Sequence, residues 1–322
     1  MKKLIAVACA LLFAAGAAEA QPYPSRPITI IVPFSAGGPT DALARILGER
    51  MRATLGQSLV IENVTGAGGS IGVTRAVRSA PDGYTISMGH LGTHVVNGAL
   101  YPLPYDLMAD LEPISMLGSN PMMVVTKNAM PAKDLRELVA YLKANPEKVA
   151  AGTAGVGSAS HFSGVYFQNL IGTQFNFVPY RGTGPALQDL VAGQIDMIVD
   201  QVSNSIAQVQ SGAIKAYAVT ADKRLAGLPN LPTVDEAGMP GFYISLWSGF
   251  WVPKGTPKDV IAKLNAAVVE ALADPVVQKR MADIGLDIPP REQQTPEGFG
   301  AYQKSEIEKW WPIIKAANIK AE

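Results

Sequence analysis

Short apolar runs alternate with helical repeats along this 322-residue chain, and that alternation restricts its fold more than any other feature. Ile28 to Val32 lies between Pro27 and Pro33 and is rich in β-branched side chains, which marks a short buried strand. Beyond Gly37 and Gly38 the apolar residues fall at Leu43, Ile46, Leu47, Met51 and Leu55, the spacing of one helix face. The order repeats through "SLVIENV", "TGAGGSIGVTRAVRSA" and "PDGYTISMGH", and again through "NPMMVVTKNAM", a helix over 135–142 and a strand over 149–153. Strands alternating with helices predict an α/β chain of parallel or mixed sheets covered by helices.

Two of the junctions are rich in glycine. "PFSAGGPTD" leads from the first strand into its helix, with Thr40 or Asp41 expected as the cap and positive φ expected at Gly38. "GTAGVGSASH" repeats the design in the other half of the chain, with Ser158 as N-cap and Phe162, Val165, Tyr166 and Leu170 on the buried helix face. A third strand, "FNFVPY", precedes "RGTGPALQDLVAG", with Pro185 near the helix start and Gly193 at its end. Glycine lets the backbone approach a bound group, and the first N–H groups of a helix have no partner inside it. Such junctions suit an anion. Neither carries the Gly-Lys-Ser/Thr ending of a P-loop or the spacing of a dinucleotide fingerprint. In open α/β sheets ligands bind beyond the carboxyl ends of the strands, where both turns lie. Two helix N-termini facing one cleft match a small dicarboxylate.

The catalytic alternatives are thin. His90 and His94 have i, i+4 spacing, but the intervening "LGT" has no Glu, so the zinc-protease motif fails. Ser158 and Ser160 precede His161 closely, yet "GVGSASH" is not a Gly-x-Ser-x-Gly elbow. Asp196 and Asp200 fall in the strand "IDMIVD"; Asp200 closes it, either pointing into a cleft or forming a turn. The expectation is a protein that is not an enzyme, with no cofactor and no metal.

Lys2 and Lys3, an apolar stretch from Leu4 and the ending Ala18-Glu19-Ala20 make residues 1–20 a signal peptide, with cleavage before Gln21 and export to the periplasm. Cys9, the single cysteine, falls inside that segment, which excludes disulfides and thiol catalysis in the mature chain. The chain has 27 Lys+Arg and 27 Asp+Glu; losing Lys2, Lys3 and Glu19 leaves 25 against 26, a net charge of −1. That balance argues against nucleic acid and anionic membranes as partners. No second apolar run approaches the roughly 18 residues needed to span a bilayer. The length suits two α/β domains. "DEAGMPGFYISLWSGFWVPKGTP" reads as a long aromatic connector into three helices opened by Thr256-Pro257, Asp274-Pro275 and Thr295-Pro296. Packing of this helical tail on the first domain makes that domain discontinuous. The boundaries are 21–123 with 244–322 for lobe 1, and 124–243 for lobe 2.

"YPSRPITIIVPFSAGGPTD", "VIENVTGAGGSIG", "PDGYT", "GTHVVNGALY", "AGTAGVGSASH", "VPYRGTGPALQDLVAGQID" and "LPTVDEAG" follow one another across nearly the whole mature chain. As a set they resemble the Bug-type (TctC-like) solute receptors of tripartite tricarboxylate transporters. The resemblance implies a periplasmic Venus flytrap of the type II binding-protein fold, which hands a small carboxylate to integral-membrane permease subunits; the receptor itself is expected to be a monomer. It also implies a ligand clamped by backbone N–H groups, hydroxyls and water. Carried over by position, Phe34 walls the pocket and Ser35, Ala36, Gly37 and Gly38 offer polar backbone to one carboxylate. Asp41 braces that turn, and Thr93 lines the first lobe. Thr153, Ser158, Ser160 and His161 serve the second. Asp200 joins the ligand-binding candidates from its place at the end of its strand, not from the resemblance. Arg181 is either a charge-assisted contact or a surface residue. "NVTGAGG", where the family often has Arg-Pro, and His90 depart from the pattern. The alternatives are a periplasmic sensor feeding a receptor kinase, or an exported hydrolase.

Overall fold

The structure, a computed structural model, describes residues 22–225 and 227–316, so the signal segment and its cleavage site lie outside the described residues. In chain order the strands are β1 (Ile28–Val32), β2 (Leu59–Asn63), β3 (Thr85–His90), β4 (Leu111–Lys127), β5 (Ala150–Thr153), β6 (Asn176–Pro179), β7 (Met197–Gln201), β8 (Ile214–Val219) and β9 (Ser245–Pro253). The helices before the cross-over are α1 (Pro39–Leu55), α2 (Ser70–Val77) and the short α3 (Asn97–Leu100). Then come α4 (Leu135–Ala144), α5 (Ala159–Ile171), α6 (Thr183–Val191) and α7 (Val202–Gln210), and finally α8 (Lys258–Ala273), α9 (Pro275–Asp283) and α10 (Pro296–Ala316).

The strands pair in the order β2-β1-β3-β9-β4-β7-β5-β6, with β8 also on β4. Pairs β1–β2, β1–β3, β5–β6 and β5–β7 are parallel, and all pairs made by β4 and β9 are antiparallel. Two parallel units thus form two lobes joined through long antiparallel strands. The 17 residues of β4 change partners midway: Leu111–Pro121 pair with β9, and Met122–Lys127 with β7 and β8. Pro121 stands at the change-over, where a residue without an N–H removes the least from either ladder.

Local chemistry explains the helices that frame the cleft. α1 starts at Pro39, whose missing N–H would have no helical partner, and stops at Gly56 with φ 69, its N–H returning to Arg52 O at 3.0 Å. The cap is therefore Gly38 in extended conformation, not Thr40 or Asp41, which fall inside the first turn because proline fixes the boundary ahead of them. Leu43, Ile46, Leu47, Met51 and Leu55 are buried against Ile28, Ile30 and Ile86. Each such burial contributes about 1.5–3 kcal/mol. In α5 the Ser158 hydroxyl caps the His161 N–H. Its buried face differs from the apolar spacing: Phe162, Phe167 and Ile171 are buried, while Leu170 is exposed. Small and satisfied residues take the packed side instead. Gly164 lies against the Phe177 ring, and Gln168 donates to Phe175 O at 2.7 Å.

The aromatic connector contains β9, whose residues pair on both sides, with β3 and β4. Its glycines and prolines suggest a loop, but tertiary pairing on two edges overrides that preference. Trp247 and Trp251 are fully buried and donate to Glu306 and Gln303 of α10 at 3.1 and 3.0 Å. Gln303 also donates to His94 O and Trp311 to Val95 O, both at 2.9 Å. These bonds hold the C-terminal helix on the first lobe. Asp274 caps α9 and Thr295 caps α10, whereas Thr256 donates to Pro253 O and caps nothing.

Candidate functional site

A small cavity, about 20 Å³, lies where the carboxyl ends of β1, β3, β5 and β7 meet the N-termini of α1, α5 and α6. The first lobe contributes Phe34, Gly38, Pro39, Thr40 and His90; the second contributes Ala154, Ala159, Ser160, Thr183, Asp200 and Gln201; Met122 of the cross-over strand lies between them. No lysine or arginine is among these lining residues.

The first turn is held from behind. Gly37 takes the left-handed conformation, φ +81, and Gly38 is extended at φ −83, so the strained position is one residue earlier than the sequence implied. The Asp41 carboxylate accepts from Gly37 N at 3.0 Å, from Arg45 through two bonds of 2.9 Å, and from Asn63 at 3.1 Å. Asn63 also donates to Phe34 O at 2.8 Å. Burial alone would raise the Asp41 pKa, but these donors outweigh it and hold the group below its ordinary value. Asp41 is spent on the turn and does not line the cavity.

The second turn is bound to itself. Gly155 and Gly157 have φ +102 and +77. Ala154 N donates to Ser160 Oγ at 2.9 Å, Gly155 N to Thr153 Oγ1 at 3.3 Å and Gly157 N to His161 Nδ1 at 3.2 Å. The His161 ring packs edge-on against Phe177, and burial lowers its pKa to about 4. Among the described residues neither ring nitrogen of His161 bonds to Ser158 or Ser160, so no nucleophile–base pair is assembled here. Among the described residues no cluster suited to a metal ion occurs, and no helix is long and apolar enough to cross a membrane.

Of the residues singled out from the sequence, Phe34, Gly38, Ser160 and Asp200 line the cavity. Thr153, Ser158 and His161 are buried behind the second turn, and Thr93 is buried in a π-helical turn, Gly92–Val96, where its hydroxyl accepts the His90 N–H. Ala36, Gly37 and the Arg181 side chain are exposed at the rim. Ser35 donates its N–H to the Arg181 carbonyl at 3.0 Å, a bond between the lobes. Asp200 is fully buried and accepts from Gln201 N at 2.9 Å, Asn204 Nδ2 at 2.6 Å and the Ser205 hydroxyl. Burial pushes its pKa up to about 6 against the pull of these donors.

The sequence missed Pro39, Thr40, His90, Met122, Ala154, Ala159, Thr183 and Gln201 as lining. Thr183 had a signal, since the "RGTGPALQ" segment is a third strand–glycine–helix junction. Met122 and Gln201 had none, because only the crossing of β4 and β7 brings them to the cleft.

Across the cleft the lobes meet at their glycine turns. Gly182 lies against Ser35, Gly68 against the Val156 carbonyl, and Tyr101 donates its hydroxyl to Val156 O at 2.5 Å.

Fold and site together define a two-lobed α/β binding protein with its cavity between the lobes. The chain belongs to the tripartite tricarboxylate transporter family receptors, whose sequence model matches residues 43–319. A protein of Agrobacterium vitis encoded in the TAR-I ttuE-ttuC' intergenic region is 40% identical over 92% of this chain and 85% of its own. The periplasmic binding protein BugD superposes with a TM-score of 0.90 at 42% identity, over 92% of this chain and 100% of BugD. MatC from Rhodopseudomonas palustris, solved with bound malate, gives 0.88 at 40% identity over 91% and 100% of the two chains. The family is one of periplasmic solute-binding receptors that take carboxylates.

Proposed function

We propose that this chain is an extracytoplasmic receptor that captures a small carboxylate, most suitably a dicarboxylate, and delivers it to the permease of a tripartite tricarboxylate transporter. The lobes are residues 21–123 with 244–322, and 124–243; the chain is exported by cleavage before Gln21 and acts as a monomer. The observation that carries the reading is the cavity itself: two glycine-rich strand-to-helix turns, one from each lobe, meet over a space that Thr40, Ser160 and Thr183 line at three helix starts and to which no lysine or arginine contributes. Backbone donors and helix N-termini favour an anion without leaving a buried cation behind when it departs. Phe34 walls the site, Gly38 and Ser160 present the two turns, and Thr183 adds a hydroxyl from the start of α6. Ser35, Ala36, Gly37 and Arg181 shape the rim, while Thr93, Thr153, Ser158 and His161 hold the turns in place. The malate bound in MatC supports the ligand class.

A thermal-shift screen of succinate, L-malate, adipate, citrate and monocarboxylates tests the reading. A ligand at 100 times its Kd adds roughly 2.7 kcal/mol to stability. A carboxylate that raises the melting temperature is expected; a panel without any shift at millimolar concentration sinks the proposal.

A further inference from the structure

His90 ends β3 and reaches the cavity from the first lobe, next to Phe34. Its Nδ1 accepts the Gly92 N–H at 2.9 Å. An imidazole nitrogen accepts only when it carries no proton, so in the neutral ring the proton sits on Nε2. Burial lowers the pKa of His90 to about 4, which keeps the ring neutral at pH 7.

The ring is also fixed in place. Phe34 stacks on it with 5.0 Å between centroids and 10° between planes. Gly92 stands so close to its edge that a β carbon there would meet His90 Cε1 at 2.8 Å. Among the described residues Nε2 has no hydrogen-bond partner. The Nε2 of His94 is likewise unpartnered but sealed in the core, whereas that of His90 is not sealed and its ring borders the cavity.

We propose that His90 is a ligand-binding residue whose Nε2–H donates to one oxygen of the ligand carboxylate, so that the end of the ligand beside Phe34 must be a hydrogen-bond acceptor. This rests on the receptor reading above. The preset tautomer gives direction to the bond, since the ring cannot turn its acceptor nitrogen to the cavity without releasing Gly92 N–H. A neutral donor also avoids a buried bare charge in the empty site. A ligand with an ammonium group at this point would set hydrogen against hydrogen.

The test pairs spectroscopy with two variants. Protein labelled with 15N-histidine is observed by long-range 1H–15N correlation, free and with L-malate, or with succinate or adipate if one of these binds more tightly. The free protein is expected to show the Nε2–H tautomer, and the ligand is expected to shift that proton downfield. His90→Phe keeps the stack on Phe34 and removes the donor, so affinity should fall ten- to a hundredfold. His90→Gln carries an amide N–H of similar reach and should stay within a few-fold of wild type. An Nδ1–H tautomer in the free protein overturns the proposal whatever the ligand, and this measurement stands even if His90→Phe does not fold. Wild-type binding with an unmoved Nε2 signal, or undiminished affinity in a folded His90→Phe, overturns the role of His90 alone. Absence of any carboxylate binding by wild type defeats the receptor reading and this inference together.

Discussion

Gly68→Ala separates closure of the lobes from contact with the ligand. Gly68 does not line the cavity, but its α carbon faces the second turn across the cleft. A β carbon there would overlap the Val156 carbonyl oxygen and stand 3.2 Å from its carbon. That oxygen belongs to backbone and cannot swing away, so relief requires the two segments to move apart by roughly 1 Å, the shortfall from ordinary van der Waals distance. The movement stretches the Tyr101–Val156 bond, and a typical hydrogen bond contributes about 0.5–1.5 kcal/mol. With residual crowding the closed state loses about 1–2 kcal/mol, a five- to thirtyfold rise in Kd. A second effect must be kept apart from this one. Gly68 has φ +59, and an alanine in that left-handed conformation costs about 1–2 kcal/mol in open and closed states alike, which lowers melting temperature but not affinity. Calorimetry for Kd, scattering for compaction and a melt for stability resolve the two. If the variant melts earlier yet binds and compacts as wild type, the Gly68–Val156 contact is not part of the liganded state, and the closure argument fails.

Two further outcomes follow from buried groups. Asp200 has a pKa of about 6, raised by burial, and faces the cavity with no ion-pair partner among the described residues. Above that pH its charge repels an anionic ligand, so affinity for a dicarboxylate should weaken between pH 6 and 8, with proton uptake on binding; His90, at about 4, does not titrate in that window. Calorimetry in buffers of differing ionisation enthalpy measures the uptake, and affinity that is flat or rising over that range refutes it. Trp310 packs its ring edge-on to Phe162 of α5 at 5.0 Å, bridging the C-terminal helix and the second lobe, whereas Trp247 and Trp251 are anchored within β9 and α10. Ligand-induced fluorescence change should therefore disappear in Trp310→Phe; a change that persists at full amplitude would place the reporter elsewhere.

The sequence by itself determined the order of most elements, β9 excepted, because helix and strand periods, proline boundaries and glycine stops act over a few residues. α1 with its five buried apolar positions, the Ser158 and Asp274 caps and the two glycine turns were all legible in this way. So was the family, from motifs spread along the mature chain. Where local pattern met tertiary packing it failed: α5 buries Gly164 and Gln168 in place of Leu170, and the apparent connector contains β9. The joining of the lobes was decided only by tertiary structure, since the change of partners along β4 depends on strands more than 70 residues away in sequence. The same holds for the cavity. A glycine turn announces itself locally, but which atoms line the space beyond it depends on how β3, β4 and β7 end against one another, and that is why Met122, Gln201 and the open Nε2 edge of His90 emerge only in three dimensions.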